Sequence, residues 1–212
     1  MMWAKSLSTR FVLSLRSRVT PYQEMAEAMP ARGRIIDLGC GSGLLSFALC
    51  AGSAHRVVIG IDHDPDRVTL ARQAAGNLPV TCRPEFQLGD MTTFLDAVPD
   101  GSLAGVAMID VLHYFDSVTQ LSLIGHAARS LRRGGILLAR DIDAEDGLRS
   151  VFNRLYERLA TGVGFTKSTN ARMLFRSRSE WTKLFERAGF VVRSEHSGVP
   201  FLADVLFTAV KL

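Results

Sequence analysis

The sequence predicts an α/β fold: a doubly wound, mostly parallel seven-stranded sheet with helices on both faces and an antiparallel strand pair at its C-terminal end. Three observations carry that prediction. From residue 34 to residue 140, short apolar runs alternate with helical patterns, which implies parallel strands joined by crossover helices. The first run enters a glycine-rich turn, Ile35-Ile36-Asp37-Leu38-Gly39-Cys40-Gly41-Ser42-Gly43, and leaves it as an apolar helix. The last two runs lie close together with no helix between them, so they read as an antiparallel pair on the sheet edge.

The elements follow in order. Trp3, Leu7, Phe11 and Leu15 recur every four residues, the spacing of an amphipathic helix packed on the domain. Its Arg- and Ser-rich, acid-free composition also fits a transit peptide, but no cleavable spacer follows it, so the packed helix is preferred. Arg34 to Leu38 is a buried strand, Leu44 to Cys50 a helix, and Arg56 to Asp62 a second strand. Asp64-Pro65 opens the next helix, with an acid at the cap and proline in the first turn. Glu85 to Gly89 and Leu103 to Ile109 are strands three and four. Ser117-x-x-Gln120 reads as a capping box before a helix carrying Leu121, Ile124, Ala128 and Leu131 on one face. Gly134-Gly135 is expected to stop that helix, with Ile136 to Arg140 as strand five. Residues 144–176 carry a helical pattern and then the loop GVGFTKSTN; Ser177-x-x-Glu180 caps a further helix ending at Gly189. Phe190 to Glu195 and Val205 to Val210 are the closing strands. One domain is expected, with a helical cap over 1–29, a binding core over 30–143, an insert over 144–178, and the last helix and strand pair over 179–212.

Composition narrows the function. The chain has 212 residues and a net charge of +4, and Lys5, Arg10, Arg16 and Arg18 precede the first acid, Glu24. That segment accounts for the surplus, so the remainder is balanced and no nucleic-acid footprint is expected. Cys40, Cys50 and Cys82 form no CxxC pair, which disfavours a disulfide framework or a metal site and points to a reducing, cytoplasmic setting. The apolar run Phe11-Val12-Leu13 is far shorter than the ~20 residues of a membrane span.

What the glycine turn holds is decided by what it lacks. A dinucleotide fingerprint starting at Gly39 needs a glycine at position 44, which is Leu44. A phosphate loop needs a Gly-Lys-Ser/Thr ending, and this turn has no lysine. The pattern present is Asp37-x-Gly39-x-Gly41-x-Gly43, and an acid before the glycines suits a cationic group better than a phosphate.

Here the sequence resembles the class I S-adenosylmethionine-dependent methyltransferases of small-molecule type, whose fold is Rossmann-like. Ile35 to Gly43 is similar to that family's first motif; the resemblance implies that Asp37 orients the cofactor's amino group while Gly39, Cys40, Gly41 and Gly43 let the backbone pass close to it. Ile59-Gly60-Ile61-Asp62-His63 resembles the second motif, in which Asp62 takes both ribose hydroxyls and His63 lies on the adenine face. A carboxylate has two acceptor oxygens, which suits a vicinal diol. Gln87-Leu88-Gly89-Asp90-Met91 resembles the adenine site, with Asp90 accepting from the exocyclic amine and the Met91 amide addressing the ring. Met108 to Phe115 resembles the loop after strand four that passes the methionine end, placing Asp110 at the cofactor. Leu131 to Leu138 matches the turn into strand five. The set covers residues 34–140, about half the chain.

Methyl transfer is an in-line displacement, so much of the rate comes from holding the acceptor in near-attack geometry. A hydroxyl or amine acceptor gains from a base, worth about 10²–10⁴-fold, and His113 with Tyr114 is the catalytic candidate; lining the crevice is the alternative role. The resemblance implies substrate contacts from the N-terminal helices and the insert after strand five, here residues 1–29 and 144–178, with Arg18, Tyr22 and Arg140 as candidates. The basic excess of 140–178, interleaved with Phe152, Tyr156, Phe165 and Phe175, suits an acidic or lipid-like molecule, whereas most of its arginines taken singly suit a solvated, ion-paired helix. The N-terminal helix is a candidate for a peripheral membrane or subunit contact. The slot Asp110-Val111-Leu112-His113 lacks the proline pair of base-methylating relatives, so nucleic acid is disfavoured as acceptor. Protein methylation and a non-catalytic cofactor-binding regulator remain alternatives.

Overall fold

In the computed structural model, which describes residues 20–80, 83–146, 173–199 and 202–212, seven strands form one sheet in the order β3-β2-β1-β4-β5-β7-β6. The strands are β1 (Gly33–Leu38), β2 (Arg56–Asp62), β3 (Glu85–Leu88), β4 (Leu103–Ile109), β5 (Leu131–Ile142), β6 (Phe190–His196) and β7 (Asp204–Lys211). The helices are α1 (Tyr22–Ala28), α2 (Leu44–Gly52), α3 (Pro65–Gly76), α4 (Met91–Asp96), α5 (Ser117–Ser130) and α6 (Arg178–Arg187), with a 3-10 turn over Leu112–Tyr114. β1 pairs in parallel with β2 and β4, β2 with β3, and β4 with β5. β7 runs antiparallel to both of its neighbours, β5 and β6. It slips between them, so the edge belongs to β6. The segments 1–19 and 147–172, which carry the expected N-terminal helix, Arg18 and most of the expected insert, lie outside the described residues.

Strand alternation divides the buried side chains between the two faces. On one face Ile36, Leu38, Val106, Met108, Leu137 and Phe207 pack against α4, α5 and α6, where Trp181 and Phe185 are fully buried with rings 6.0 Å apart. On the other, Ile35, Val58, Ala107, Leu138 and Leu206 meet Met25, Met29, Leu45 and Leu49 of α1 and α2 and the loop after α1. Phe86 packs there with Val68, Ala71 and Ala75 of α3. Both helical layers are therefore apolar toward the sheet, which is what fixes a doubly wound arrangement. No helix among the described residues is long and apolar enough to cross a membrane.

Two expected boundaries move. α5 is capped by Asp116, whose carboxylate accepts from the Thr119 amide at 2.8 Å, so Ser117 is the first helical residue and not the cap. Gln120 turns inward instead, its Nε2 donating to the carbonyls of Leu112, Phe115 and Leu174. Gly134 and Gly135 do not stop α5, which ends at Ser130; they lie inside β5, where the register on β4 jumps from Leu103↔Leu131 to Gly105↔Ile136. The pair forms a bulge, with Gly134 at φ +71°.

Candidate functional site

The strand order reverses at β1, whose neighbours β2 and β4 lead away in opposite directions, and this places a crevice at the C-terminal ends of β1 and β4. The glycine turn fills its floor. The amides of Gly39 and Cys40 both donate to the Ile61 carbonyl, at 2.8 and 3.0 Å, which binds the turn to β2. Gly39, Gly41 and Gly43 have φ of +70°, +54° and +87°, a region other residues enter at a cost. Space adds a second demand at two of them. A Cβ at Gly39 would lie 2.3 Å from the Val111 side chain, and one at Gly43 would lie 2.4 Å from Phe86.

Two buried acids stand behind this turn. Asp62, at the end of β2, accepts from the Gly41 amide at 2.8 Å and from the Asp64 amide at 2.9 Å, so one carboxylate ties the turn to the start of α3. His63 is more than half exposed, with Nδ1 3.6 Å from the Asp62 carboxylate. Asp37, on β1, accepts from the Ser46 hydroxyl at 2.6 Å. Burial pushes its carboxyl up to about 6, the bond from Ser46 works against that shift, and the charge of Asp62 adds to it. Burial, then the charges of Asp37 and Asp62, also push the Cys40 thiol up strongly, so it stays neutral.

Asp90 is the N-cap of α4 and uses Oδ1 for the Thr92 and Thr93 amides, at 2.9 and 3.0 Å, and for the Thr92 hydroxyl. Partial burial opposes its charge, but these bonds outweigh it and hold the carboxylate below its usual range. Met91 is buried, and its Cε would lie 3.5 Å from a Cβ on Gly39.

The loop after β4 closes the crevice from the other side. Asp110 has φ +56°, and among the described residues no other non-glycine residue has positive φ. Its amide donates to the Arg140 carbonyl at 3.0 Å, and its two carboxylate oxygens accept from Arg140 Nη1 at 2.8 and 2.7 Å. Arg140 is only 3% exposed and its Nη2 is bonded to Asp204 at the start of β7. Burial alone would pull its pKa down, but Asp110, Asp204 and Tyr22 together hold it raised. His113 is 1% exposed; its Nδ1 lies 2.9 Å from Asp141 Oδ1 and its amide donates to Asp141 Oδ2 at 3.1 Å. Its ring stacks on Phe175 with centroids 5.0 Å apart and lies 4.2 Å from that of Tyr114.

The structure therefore gathers Gly39, Cys40, Gly41 and Gly43 into one turn with Asp37 and Asp62 behind it, Met91 beneath it and Asp90 at the mouth of α4. Asp110 and Arg140 form one ion pair beside it, Tyr22 opens α1 within reach of the Arg140 charge, and Arg18 lies outside the described residues. Sequence reasoning missed Asp141 and Asp204. The available signal was an acid placed among apolar strand residues, in Arg140-Asp141-Ile142 and Ala203-Asp204-Val205, where a buried charge needs a partner.

A family model described as a methyltransferase domain matches residues 13–195. The chain belongs to this methyltransferase-domain family. Trans-aconitate 2-methyltransferase of Methylobacterium nodulans is 28% identical over 181 residues, 82% of this chain and 65% of that protein. The chain thus spans slightly less than two thirds of that relative's length. Among solved structures, a chain from the complex between the Haloferax volcanii Trm112 methyltransferase activator and a methyltransferase superposes with a TM-score of 0.74 at 17% identity, covering 99% of this chain and 96% of that one. The magnesium protoporphyrin IX methyltransferase of Synechocystis PCC 6803, solved with bound S-adenosylmethionine, gives 0.64 at 20% identity over 90% of this chain and 76% of that one. The seven-stranded Rossmann-like methyltransferase fold is common to all three chains.

Proposed function

We propose that this methyltransferase domain uses S-adenosylmethionine to methylate a small organic acceptor. The observation that carries the reading is the glycine turn: three residues at positive φ, closed to larger side chains at Gly39 and Gly43, with the carboxylates of Asp37 and Asp62 packed behind it. Backbone open to close approach and a local excess of negative charge fit a cationic sulfonium nucleoside and oppose a pyrophosphate. The cofactor supplies a methyl group on a positively charged sulfur. Asp62 would hold the ribose hydroxyls with its remaining lone pairs, Asp37 the amino group and Asp90, through Oδ2, the adenine amine, while the Met91 amide, His63 and Asp110 would complete the same site.

On the acceptor side, His113 is assigned as the base. Asp141 Oδ1 takes the proton-bearing Nδ1, which leaves the lone pair on Nε2, the tautomer that accepts a proton from a hydroxyl or amine. Tyr114 flanks that ring. Tyr22 acts on the Arg140 charge, and Leu174, Phe175 and Arg176 contact His113 and Gln120, which supports acceptor contacts from segments 1–29 and 144–178 around a core of 30–143. The trans-aconitate relative supports a carboxylate-bearing acceptor. Arg140 lends that idea no help, because Asp110 and Asp204 already balance its charge. The activator complex of the Haloferax volcanii neighbour supports a subunit contact for this chain as well.

Incubating the purified protein with labelled methyl donor and a panel of di- and tricarboxylates, phenols and fatty acids tests the proposal. Release of S-adenosylhomocysteine with label in one small molecule is the expected result. Label recovered only on protein would assign a protein methyltransferase, and binding without turnover toward any acceptor would assign a regulator.

A further inference from the structure

Asp110 occupies a conformation that costs an L-residue energy, at the point where the chain leaves β4 for the crevice. Its neighbour Val111 is the residue whose Cγ1 stands 2.3 Å from a Cβ built on Gly39, so the direction taken at Asp110 determines what presses on the cofactor turn. What holds Asp110 there comes from two other strands. Arg140 of β5 supplies Nη1 to both carboxylate oxygens and its own carbonyl to the Asp110 amide. Asp204 of β7 holds the other end of the guanidinium through Nη2. All three acidic and basic partners are at least four-fifths buried, at 17%, 3% and 7% side-chain exposure, so the bridge is little screened by solvent.

We infer that Arg140 is a positioning residue for cofactor binding: anchored by Asp204, it locks Asp110 in the left-handed conformation and thereby seats Val111 against the Gly39 turn. The inference rests on the cofactor reading proposed above. It gives the antiparallel strand β7, remote in sequence from every motif, a part in shaping the cofactor site. It also gives a role to a buried arginine with two carboxylates, an arrangement whose desolvation cost can exceed its Coulombic gain.

The test is titration calorimetry with S-adenosylhomocysteine on Arg140→Lys, Asp204→Asn and the double variant, with melting temperatures measured beside it. Lysine keeps the charge but cannot hold both carboxylates in fork geometry. Each single change is expected to raise Kd by between about twofold and about thirtyfold. The double change is expected to cost no more than the larger single one, since both break one relay. Melting temperatures that fall while Kd stays at the wild-type value would overturn the inference, since a merely structural bridge does that. Val111→Ala bypasses the charges and serves if the others do not fold: a raised Kd supports the relay, and an unchanged one overturns it. A wild-type protein that binds no cofactor removes the cofactor reading, and the relay with it, whereas tight wild-type binding with unresponsive variants removes the relay alone.

Discussion

Asp37 and Asp62 are both carboxylates at the end of adjacent strands, yet their surroundings give them different work. Asp62 is satisfied by two backbone amides, so Asp62→Ala strips the acceptor from both and leaves them unpaired at about 1–3 kcal/mol each. Calorimetry should show cofactor affinity falling at least tenfold in that variant. Asp37 has one hydroxyl and little solvent, and its carboxyl stands at about 6 against an ordinary 3.8. A carboxyl raised in the folded state favours folding when protonated, so its contribution is fullest below about pH 4 and is lost as pH climbs through 6. The difference amounts to about 3 kcal/mol. A cationic ligand reverses the preference, so cofactor affinity should rise between pH 5 and pH 7. Asp37→Asn should flatten both trends, as read by melting curves and calorimetry across that range. The sequence disclosed these acids because each adjoins the glycine turn or a strand end. It did not disclose what Asp141 and Asp204 do, because an acid inside a strand announces that it needs a partner but not which one, and theirs lie 28 and 64 residues away.

At the level of elements, local chemistry predicts well where nothing competes with it. Ser177 and Glu180 form the reciprocal cap expected of them, and Ser177→Ala should cost about 1 kcal/mol, lowering the melting temperature by about 2–4 °C. The same pattern at Ser117 and Gln120 fails for a physical reason: three carbonyls and the Arg176 guanidinium draw the Gln120 amide into the interior, and Asp116 caps instead. Asp116→Ala should therefore lower the melting temperature more than Ser117→Ala does. The turn between β1 and α2 is less forgiving than either. Gly43→Ala combines a positive φ with the Phe86 ring, and about 3 kcal/mol is expected, seen as a fall of roughly 6–12 °C. The glycine-pair bulge in β5 escaped sequence reasoning because glycine marks a helix stop and a bulge with the same letter.

For the molecule as a whole, the parallel, doubly wound character of β1 to β5 was readable because strands alternate with crossover helices, whereas their order in the sheet leaves no mark in the sequence. The insertion of β7 between β5 and β6 was not readable either, since two adjacent strands joined by a short loop can meet the sheet by either member. Ligand linkage is the whole-molecule check on the cofactor site. At a concentration 100 times Kd, a ligand binding only the folded state adds about 2.7 kcal/mol, which for a chain of this size is a rise of roughly 5–10 °C. S-adenosylhomocysteine should produce that rise, and NADH should not.

The reversed direction of β7 has a practical consequence. Its first residue, Asp204, stands beside Ile142 at the crevice end of the sheet, while Lys211 reaches the carbonyl of Leu131 at the opposite pole. A cysteine introduced at the exposed Leu212 and labelled with a tether or fluorophore therefore points from the underside, which suits surface-based affinity measurements with the mouth kept clear.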